Sequence, residues 1–415
     1  MKISSSQVAP SSWNSMATSW LLWCCVTGFY AFQFIPRVFL GLIADDLMQH
    51  FSVNTAVFGL LSSFWYIGYS TMQIPAGMIL DRFRTSLVIV ISLALCIFSL
   101  CIFSYTTNFY FAAFSRFVLG GGSAFALLST AKVVKERFPS AMFSALFGAT
   151  VMVGVCSTFL GVYMKKLMDY MHWTDVMWNF ILLGCVILLF TIVVYLRDKK
   201  SVSSSQNSLP VLATLKSLLL KRDTWVLGLF FFFSYSFLSG FADMWGVSFL
   251  HAAHGIDHTK CITLISVVYI GMGVGAVFWP FILKFAPRYL AVIRFGIISS
   301  TISFGFIAFY QNLSFQTLWI LSFAAGFFIA VTLLTFTIVE RMQKAAIIGT
   351  ASGLHNLFSM LSGVVVQPLM GYAIGSNAAP CYNLAMLLLF VFMIIACVFS
   401  AFLPNTPRLR DAKRA

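Results

Sequence analysis

The chain has 415 residues, of which 60% are hydrophobic and only 9% are charged, and its mean hydropathy is +0.92. Soluble domains carry roughly 25% charged residues, so this composition excludes an ordinary soluble globular protein. The formal net charge of +14 does not indicate a nucleic-acid partner, because the basic residues are dispersed over many short segments and form no single patch.

Apolar stretches of membrane-spanning length fill most of the chain. A hydrocarbon core about 30 Å thick requires roughly 20 helical residues to cross it. The stretches lack the polar face that a soluble amphipathic helix would show. The sequence therefore predicts an all-α integral membrane protein with twelve transmembrane helices, at 20–44, 55–80, 86–105, 108–131, 141–163, 176–196, 224–250, 261–283, 291–310, 315–339, 346–372 and 381–403.

The basic residues lie mainly in alternate gaps between the predicted spans and in the two termini. The odd-numbered gaps hold only Lys165, Lys166 and Lys260. Because cytoplasmic loops collect Lys and Arg, we expect both termini in the cytoplasm of a protein of the cell membrane. The first apolar run is longer than a signal-peptide core, so we expect it to be retained as the first helix.

The nine cysteines show no spacing that is typical of a metal or redox site. Most of them fall within spans, where a buried thiol packs as a small apolar side chain. No metal and no cofactor is expected.

The one clear break in the apolar pattern runs from Arg197 to Arg222. It includes a polar, Ser-rich run at 201–208, a composition that favours a flexible linker. Six spans on each side of a linker are typical of transporters whose halves move about a central site. The predicted organisation is an amino-terminal half (1–196), a cytoplasmic linker (197–222), a carboxyl-terminal half (223–403) and a basic tail (404–415).

The gap after the second span reads Gly77-Met78-Ile79-Leu80-Asp81-Arg82-Phe83-Arg84-Thr85. It resembles the loop signature G-x-x-x-D-[RK]-x-G-[RK]-[RK] of the major facilitator superfamily. Gly77, Asp81 and Arg82 match, whereas Arg84 stands where the family prefers glycine. The resemblance implies that these three residues take part in gating, since the family's acidic residue helps to hold the cytoplasmic side closed. The plainer alternative is an ordinary basic loop.

The fourth span carries Arg116 followed by Gly120-Gly121-Gly122, which is similar to a pattern of the same family on that helix. An arginine inside a span is costly in lipid and requires a partner or a wet cavity. Arg116 therefore has two interpretations, a role in substrate binding or coupling and a role as a structural hydrogen-bond centre. The resemblance implies the family's fold of two six-helix halves and a transport function.

The first two predicted spans also resemble one branch of this superfamily. That branch includes bacterial importers of small polar metabolites and, more distantly, the lysosomal dipeptide carrier. The resemblance covers a small part of the chain and implies only a broad substrate class.

Polar side chains form stripes at helical spacing inside four spans. An isolated tyrosine in a span is usually a packing residue, but each of these stripes also contains an amide or a charge, which favours a cavity lining. Together with Arg116 they make up the predicted substrate site: Tyr30, Gln33 and Arg37; Tyr66, Tyr69 and Gln73; Tyr235 and Asp243; and His355 and Asn356.

The charges of these stripes indicate the class of solute. Arg37 and Arg116 can each hold a carboxylate or phosphate bidentately. Asp243 can bind an ammonium group or take up a proton, although an ion pair with another helix is an equal alternative, and His355 can titrate near neutral pH. We expect a small anionic or zwitterionic solute such as an organic acid, an amino acid or a short peptide.

The energy source is predicted by exclusion. The chain has no G-x-x-x-x-G-K-[ST] phosphate-binding loop, so we expect coupling to an ion gradient, preferably of protons, through Asp243 and Arg116. A monomer is the expected form.

Two alternatives to a transporter remain open. A membrane-embedded enzyme acting on lipids would require clustered His, Asp or Ser residues near one interface. The group His251, His254 and His258 fits a solvated loop better than a metal site. A non-transporting sensor or scaffold would usually carry an added soluble domain, and none is visible in the sequence.

Overall fold

The computed structural model describes residues 13–139, 142–168, 170–197, 211–283, 289–310, 312–343, 347–375 and 381–404. Within these ranges the regular structure is entirely helical. Half of the predicted linker (198–210) and all but the first residue of the predicted tail (405–415) lie outside the described residues.

Before the linker, the helices are α1 (Trp13–Leu42), α2 (Ala44–Phe51), α3 (Thr55–Arg82), α4 (Thr85–Tyr105), α5 (Phe109–Arg137), α6 (Phe143–Cys156), which continues through a 3₁₀ turn into α7 (Leu160–Met168), and α8 (Trp173–Arg197). After it come α9 (Val211–Leu219), α10 (Arg222–Ser236), a π-helical segment (Phe237–Trp245), α11 (Gly246–His254), α12 (His258–Ile282), α13 (Tyr289–Phe309), α14 (Phe315–Ile329), which continues through a 3₁₀ segment into α15 (Thr335–Met342), α16 (Ile348–Ile374) and α17 (Tyr382–Ala401).

Within the described residues, eleven helical segments are long and apolar enough to cross a membrane. The exception among the twelve predicted spans is α3, a 28-residue helix whose middle carries several hydroxyl and amide side chains that lower its hydropathy. The count of twelve and the division into two halves therefore stay predictions.

Part of the predicted linker is ordered. Residues 211–219 form α9, which packs against α10 and α16. The flexible linker predicted for 197–222 is therefore helical over this stretch. The reason is local, because Leu218 and Thr214 form a buried stripe at i, i+4 spacing against the bundle.

Two pairs of helices cross at very short range through glycine. A Cβ at Gly120 of α5 would overlap the backbone carbonyl of Trp65 in α3. A Cβ at Gly326 of α14 would likewise overlap the carbonyl of Val268 in α12. Only glycine permits this approach. The same crossing therefore occurs once before and once after the linker.

Helices before and after the linker meet where α3 packs on α16, α6 on α12 and α1 on the π-helical segment. Near the start of α3 the contact with α16 is tight. The Thr55 Oγ1 donates to the Gly375 carbonyl at 2.8 Å, and a Cβ at Gly59 would overlap the Gln367 carbonyl.

The same helices separate toward what we call the linker face, the face that carries the end of α3 (Arg82), the end of α8 (Arg197), α9 and the start of α16 (Ile348). A Cβ at Gly77, Gly349 or Gly353 would meet nothing within 4 Å. Among the described residues, α3 and α16 are therefore in backbone contact near the opposite face and leave space beside these three glycines near the linker face.

The glycine crossing yields a stability prediction. We expect Gly120→Ala to destabilise the protein by about 1–3 kcal/mol, because the added methyl overpacks a backbone contact that cannot yield. Gly148→Ala is the matched control, since a Cβ there meets open space. Thermal unfolding of the purified variants in detergent measures both, and an equal effect of the two substitutions would contradict the crossing.

Candidate functional site

A buried ion pair joins α1 to the π-helical segment. The Arg37 Nη2 and Nε donate to Asp243 Oδ2 at 2.6 and 3.1 Å. The two residues are 6% and 0% exposed. Because an isolated buried charge is very costly, each residue depends on the other.

Three tyrosines complete the surroundings of this pair. The hydroxyls of Tyr66 and Tyr269 donate to the two different oxygens of the Asp243 carboxylate. Arg37 Nη2 also donates to the Tyr235 hydroxyl at 2.5 Å and to the Tyr66 hydroxyl at 3.1 Å. We call these five residues the charge cluster. It brings together α1, α3, α10, the π-helical segment and α12.

The Arg37 guanidinium is also enclosed by aromatic rings. Its Cζ lies 5.4 Å from the ring centroid of Phe34, 5.2 Å from Trp65 and 5.7 Å from Tyr235. Each ring presents electron density to the cation. This enclosure stabilises the positive charge without supplying a second anion.

The π-helical segment places Asp243. The Gly246 amide donates to the Phe241 carbonyl five residues earlier, and a Cβ at Gly246 would overlap that carbonyl. The wider turn shifts the register of the residues that follow it by one position relative to an α-helix. Such segments are found mostly at functional sites.

Arg116 lies beside α1 and outside the charge cluster. It is buried, and its Nη1 donates to the Pro36 carbonyl at 2.7 Å. Pro36 directly precedes Arg37, so Arg116 holds the backbone of α1 at the base of the ion pair. Its Nε has no hydrogen-bond partner among the described residues. The structure thus places Arg116 in a structural contact, and its predicted role with substrate stays a prediction.

Two further stripe residues connect α3 to α16. The Tyr69 side chain on α3 lies near Asn356 on α16, and its ring centroid lies 5.1 Å from that of Trp65. Tyr30 packs edge-on against Phe34 at 5.3 Å. Both tyrosines are buried.

Three buried polar groups near the cluster have no partner within the described residues. They are the Oε1 atoms of Gln33 and Gln73 and the Nε1 of Trp65. Such groups are rarely left unpaired in native proteins. They supply two acceptors and one donor that water or a solute can satisfy.

His355 lies away from the charge cluster. Its Nε2 is 2.7 Å from the Thr335 Oγ1, and its ring stacks on Phe231 at 4.7 Å and meets Phe336 edge-on at 5.0 Å. Adjacent residues of a helix point in different directions, so Asn356 faces α3 while His355 faces α10 and α15.

The loop signature lies at the linker face. Gly77 borders the open space between α3 and α16, and Arg82 is exposed at the end of α3. The side chain of Asp81 lies outside the described residues. Lys132 on α5, which the sequence did not single out, donates through Nζ to the Leu80 carbonyl. A cation there interacts favourably with the carbonyl end of α3.

Sequence reasoning missed Tyr269 and the π-helical segment. Tyr269 is the only member of the charge cluster on α12, in an apolar stretch without a neighbouring amide or charge. Tyr269 therefore did not belong to any of the polar stripes that contain an amide or a charge. The π-helical segment has no recognisable pattern in sequence.

The histidines near the opposite face are engaged with the backbone. His251 Nδ1 is 2.8 Å from the Ile256 carbonyl, and His254 Nε2 is 3.2 Å from the Ile307 carbonyl. In the described part of the chain, no group of three or more His, Cys, Asp or Glu residues is placed to hold a metal ion.

Comparison with known proteins places this arrangement in context. The family profile described as Major Facilitator Superfamily matches residues 22–367. The protein called Uncharacterized transporter YybO, from Bacillus subtilis (strain 168), is 22% identical over 440 residues, which cover 96% of this chain and 95% of that protein.

Solved structures resemble the whole fold. A mutant of the nucleoside transporter NupG superposes with a TM-score of 0.76 at 14% identity, over 94% of this chain and 100% of that chain. A second similar structure is that of a bacterial homologue of the human lysosomal transporter Spinster in an inward-facing and unoccupied conformation. It superposes with a TM-score of 0.70 at 16% identity, over 95% of this chain and 97% of that chain. The inward-facing and occupied form of the same homologue superposes with a TM-score of 0.71 at 18% identity, over 94% of this chain and 97% of that chain.

The ion pair yields a second prediction. We expect Asp243→Asn to destabilise the protein by about 3–5 kcal/mol, because it leaves the buried Arg37 without its counter-charge. The double variant Arg37→Gln with Asp243→Asn should recover a substantial part of this loss. A thermal-unfolding double-mutant cycle measures the coupling. Additive single effects would show that the two side chains do not form a pair.

Proposed function

The chain belongs to the major facilitator superfamily, and on this basis we propose that it is a secondary transporter that carries a small anionic or zwitterionic solute together with a proton. The proposed mechanism is alternating access between two six-helix halves in the cell membrane, with both termini in the cytoplasm and a monomer as the working unit. The observation that carries the proposal is the buried pair Arg37–Asp243.

The pair connects a helix that precedes the linker to one that follows it. Opening the opposite face requires α1 to separate from the π-helical segment, which breaks the pair. Breaking a buried ion pair by removing one partner costs about 3–5 kcal/mol. A solute anion on Arg37 and a proton on Asp243 would neutralise both charges and offset that cost.

The chemistry of the cluster supports a carboxylate as the solute's anionic group. A guanidinium can bind a carboxylate through two parallel hydrogen bonds. Arg37 directs Nε and Nη2 together to a single oxygen of Asp243, Oδ2, and the same two donors can hold a solute carboxylate. An ammonium group of a zwitterion would find acceptors at Gln33 and Gln73 and the aromatic face of Trp65.

The gap between α3 and α16 provides the route to the cluster. It opens at the linker face, which the distribution of basic residues assigns to the cytoplasm. The structure of the Spinster homologue is likewise in an inward-facing conformation. We therefore interpret the described conformation as inward-facing, with gating by the loop of Gly77, Asp81 and Arg82 at this face.

A nucleoside is the second candidate solute. The NupG likeness shows the fold alone, but the rings of Trp65 and Tyr69 together with the unpaired amides of Gln33 and Gln73 suit stacking and hydrogen bonding to a base. An uncharged nucleoside would leave the Arg37–Asp243 pair intact, which is the weakness of this alternative.

The first test of function uses the protein in proteoliposomes. We expect a thermal-shift screen of amino acids, short peptides, organic acids and nucleosides to identify a carboxylate-bearing ligand, because Arg37 requires an anion. An imposed pH gradient should then drive uptake of that ligand above equilibrium. If uptake only reaches equilibrium and is the same with and without the pH gradient, proton coupling is rejected. If only nucleosides stabilise the protein, the anionic class of solute is rejected.

Substitution of the two charges separates their roles. We expect Arg37→Ala to lower uptake to background when uptake is normalised to the amount of protein in the membrane, because the anion loses its anchor. Asp243→Asn mimics the protonated carboxyl and should retain solute exchange while losing its dependence on the pH gradient. Lys166→Ala, an exposed site on the opposite face, is the control. Gradient-driven uptake by Asp243→Asn would exclude Asp243 as the proton carrier.

A further inference from the structure

The linker helix α9 presents two different faces. Its buried stripe, Thr214 and Leu218, packs on the bundle. On the other side, Leu219 and Leu220 are 40% and 79% exposed, and Trp225 in the next helix is 46% exposed. Contiguous exposed leucine and tryptophan side chains indicate a surface that meets an apolar partner.

Basic residues flank these apolar side chains. Lys216, Lys221 and Arg222 are all exposed. The acidic residue of this stretch, Asp223, is only partly exposed, so positive charge dominates the surface. Leucine and tryptophan next to lysine and arginine are typical of helices that lie in the headgroup layer of a membrane.

The depth of this surface follows from the helix that it adjoins. A candidate membrane span begins at Arg222 and continues to His254. The residues of α9 and the first turn of α10 are therefore placed at the end of a span, at the level of the lipid headgroups. Tryptophan is enriched at that level because its ring is apolar while its N–H is polar.

The surface is held in a fixed arrangement. Trp225 Nε1 donates to the Leu219 carbonyl at 2.8 Å, which satisfies an end carbonyl of α9. Lys221 Nζ donates to Gln343 Oε1 at 3.2 Å. Gln343 follows α15, so the surface is attached to the connection between α15 and α16.

We propose that the linker-helix patch, made up of Lys216, Leu219, Leu220, Lys221, Arg222 and Trp225, binds the headgroups of anionic phospholipids. The three basic side chains pair with lipid phosphates, while Leu219, Leu220 and Trp225 enter the acyl boundary beneath them. The negatively charged leaflet attracts such basic residues at a membrane interface. This inference does not depend on the transported solute.

The test uses the full-length protein in nanodiscs that contain phosphatidylcholine with a minority of phosphatidylglycerol, and native mass spectrometry of the released complexes measures the lipids that remain bound. We expect Lys216→Gln with Lys221→Gln and Arg222→Gln to reduce phosphatidylglycerol enrichment by about tenfold or more, given the contribution of each basic residue at a membrane surface. The matched control, Lys165→Gln with Lys166→Gln and Lys260→Gln, removes the same charge from the odd-numbered gaps and should retain the enrichment.

A second variant tests the apolar part. Leu219→Ser with Leu220→Ser changes exposed side chains only, so we expect it to fold normally and to lose part of the enrichment.

Equal losses in the patch variant and the matched control would overturn the proposal, as would unchanged enrichment in the patch variant. Equal stabilisation of the protein by soluble glycerol phosphate would identify a free-anion site, and a leucine-dependent dimer without lipid selectivity would identify a protein contact. Either result would also overturn it.

Discussion

Two opposite charges buried between α1 and the π-helical segment constrain the rest of this molecule. Arg37 and Asp243 are almost completely removed from solvent, and neither can be charged there alone without a large free-energy cost. The tyrosine hydroxyls and aromatic rings around them reduce this cost by satisfying the remaining hydrogen bonds. Since the pair bridges helices on both sides of the linker, it also fixes how these helices meet in the described conformation.

The glycine crossings bring two pairs of helices into very close contact. Backbone contacts at Gly120 and Gly326 bring α3 against α5 and α12 against α14 at very short range, and we expect each pair to move as a unit. The α3–α16 contact differs along its length, because it is tight at Thr55 and open at Gly77. Relative movement is thus expected between pairs, with the charge cluster placed where they meet.

The sequence predicted the apolar helices, because hydropathy is a local property. It also placed the polar side chains at helical spacing, but their role in a substrate site stays a prediction. It correctly put Arg37, Tyr66, Tyr235 and Asp243 on helix faces, but left the pairing of Asp243 open, since pairing depends on the rotation and register of helices distant in the chain. The π-helical segment is the clearest case. It adds one residue to a turn without a sequence signal, and it sets the register of Asp243. The direction of His355, away from the cluster, likewise depends on how α16 is rotated.

Under the proposed function, the burial of the charge cluster restricts which solutes can separate the helices that it joins. Both oxygens of Asp243 accept hydrogen bonds, and Arg37 donates to Asp243, Tyr66 and Tyr235. When the helices separate, Arg37 and Asp243 each lose their counter-charge. A neutral solute replaces neither counter-charge, so its binding does not offset the free-energy cost of the separation. An anion alone would pair with Arg37 but leave the Asp243 carboxylate without a counter-charge. A proton alone would neutralise Asp243 but leave the Arg37 guanidinium without one. Only the two together leave no uncompensated charge, which is why the proposed function couples an anionic solute to a proton.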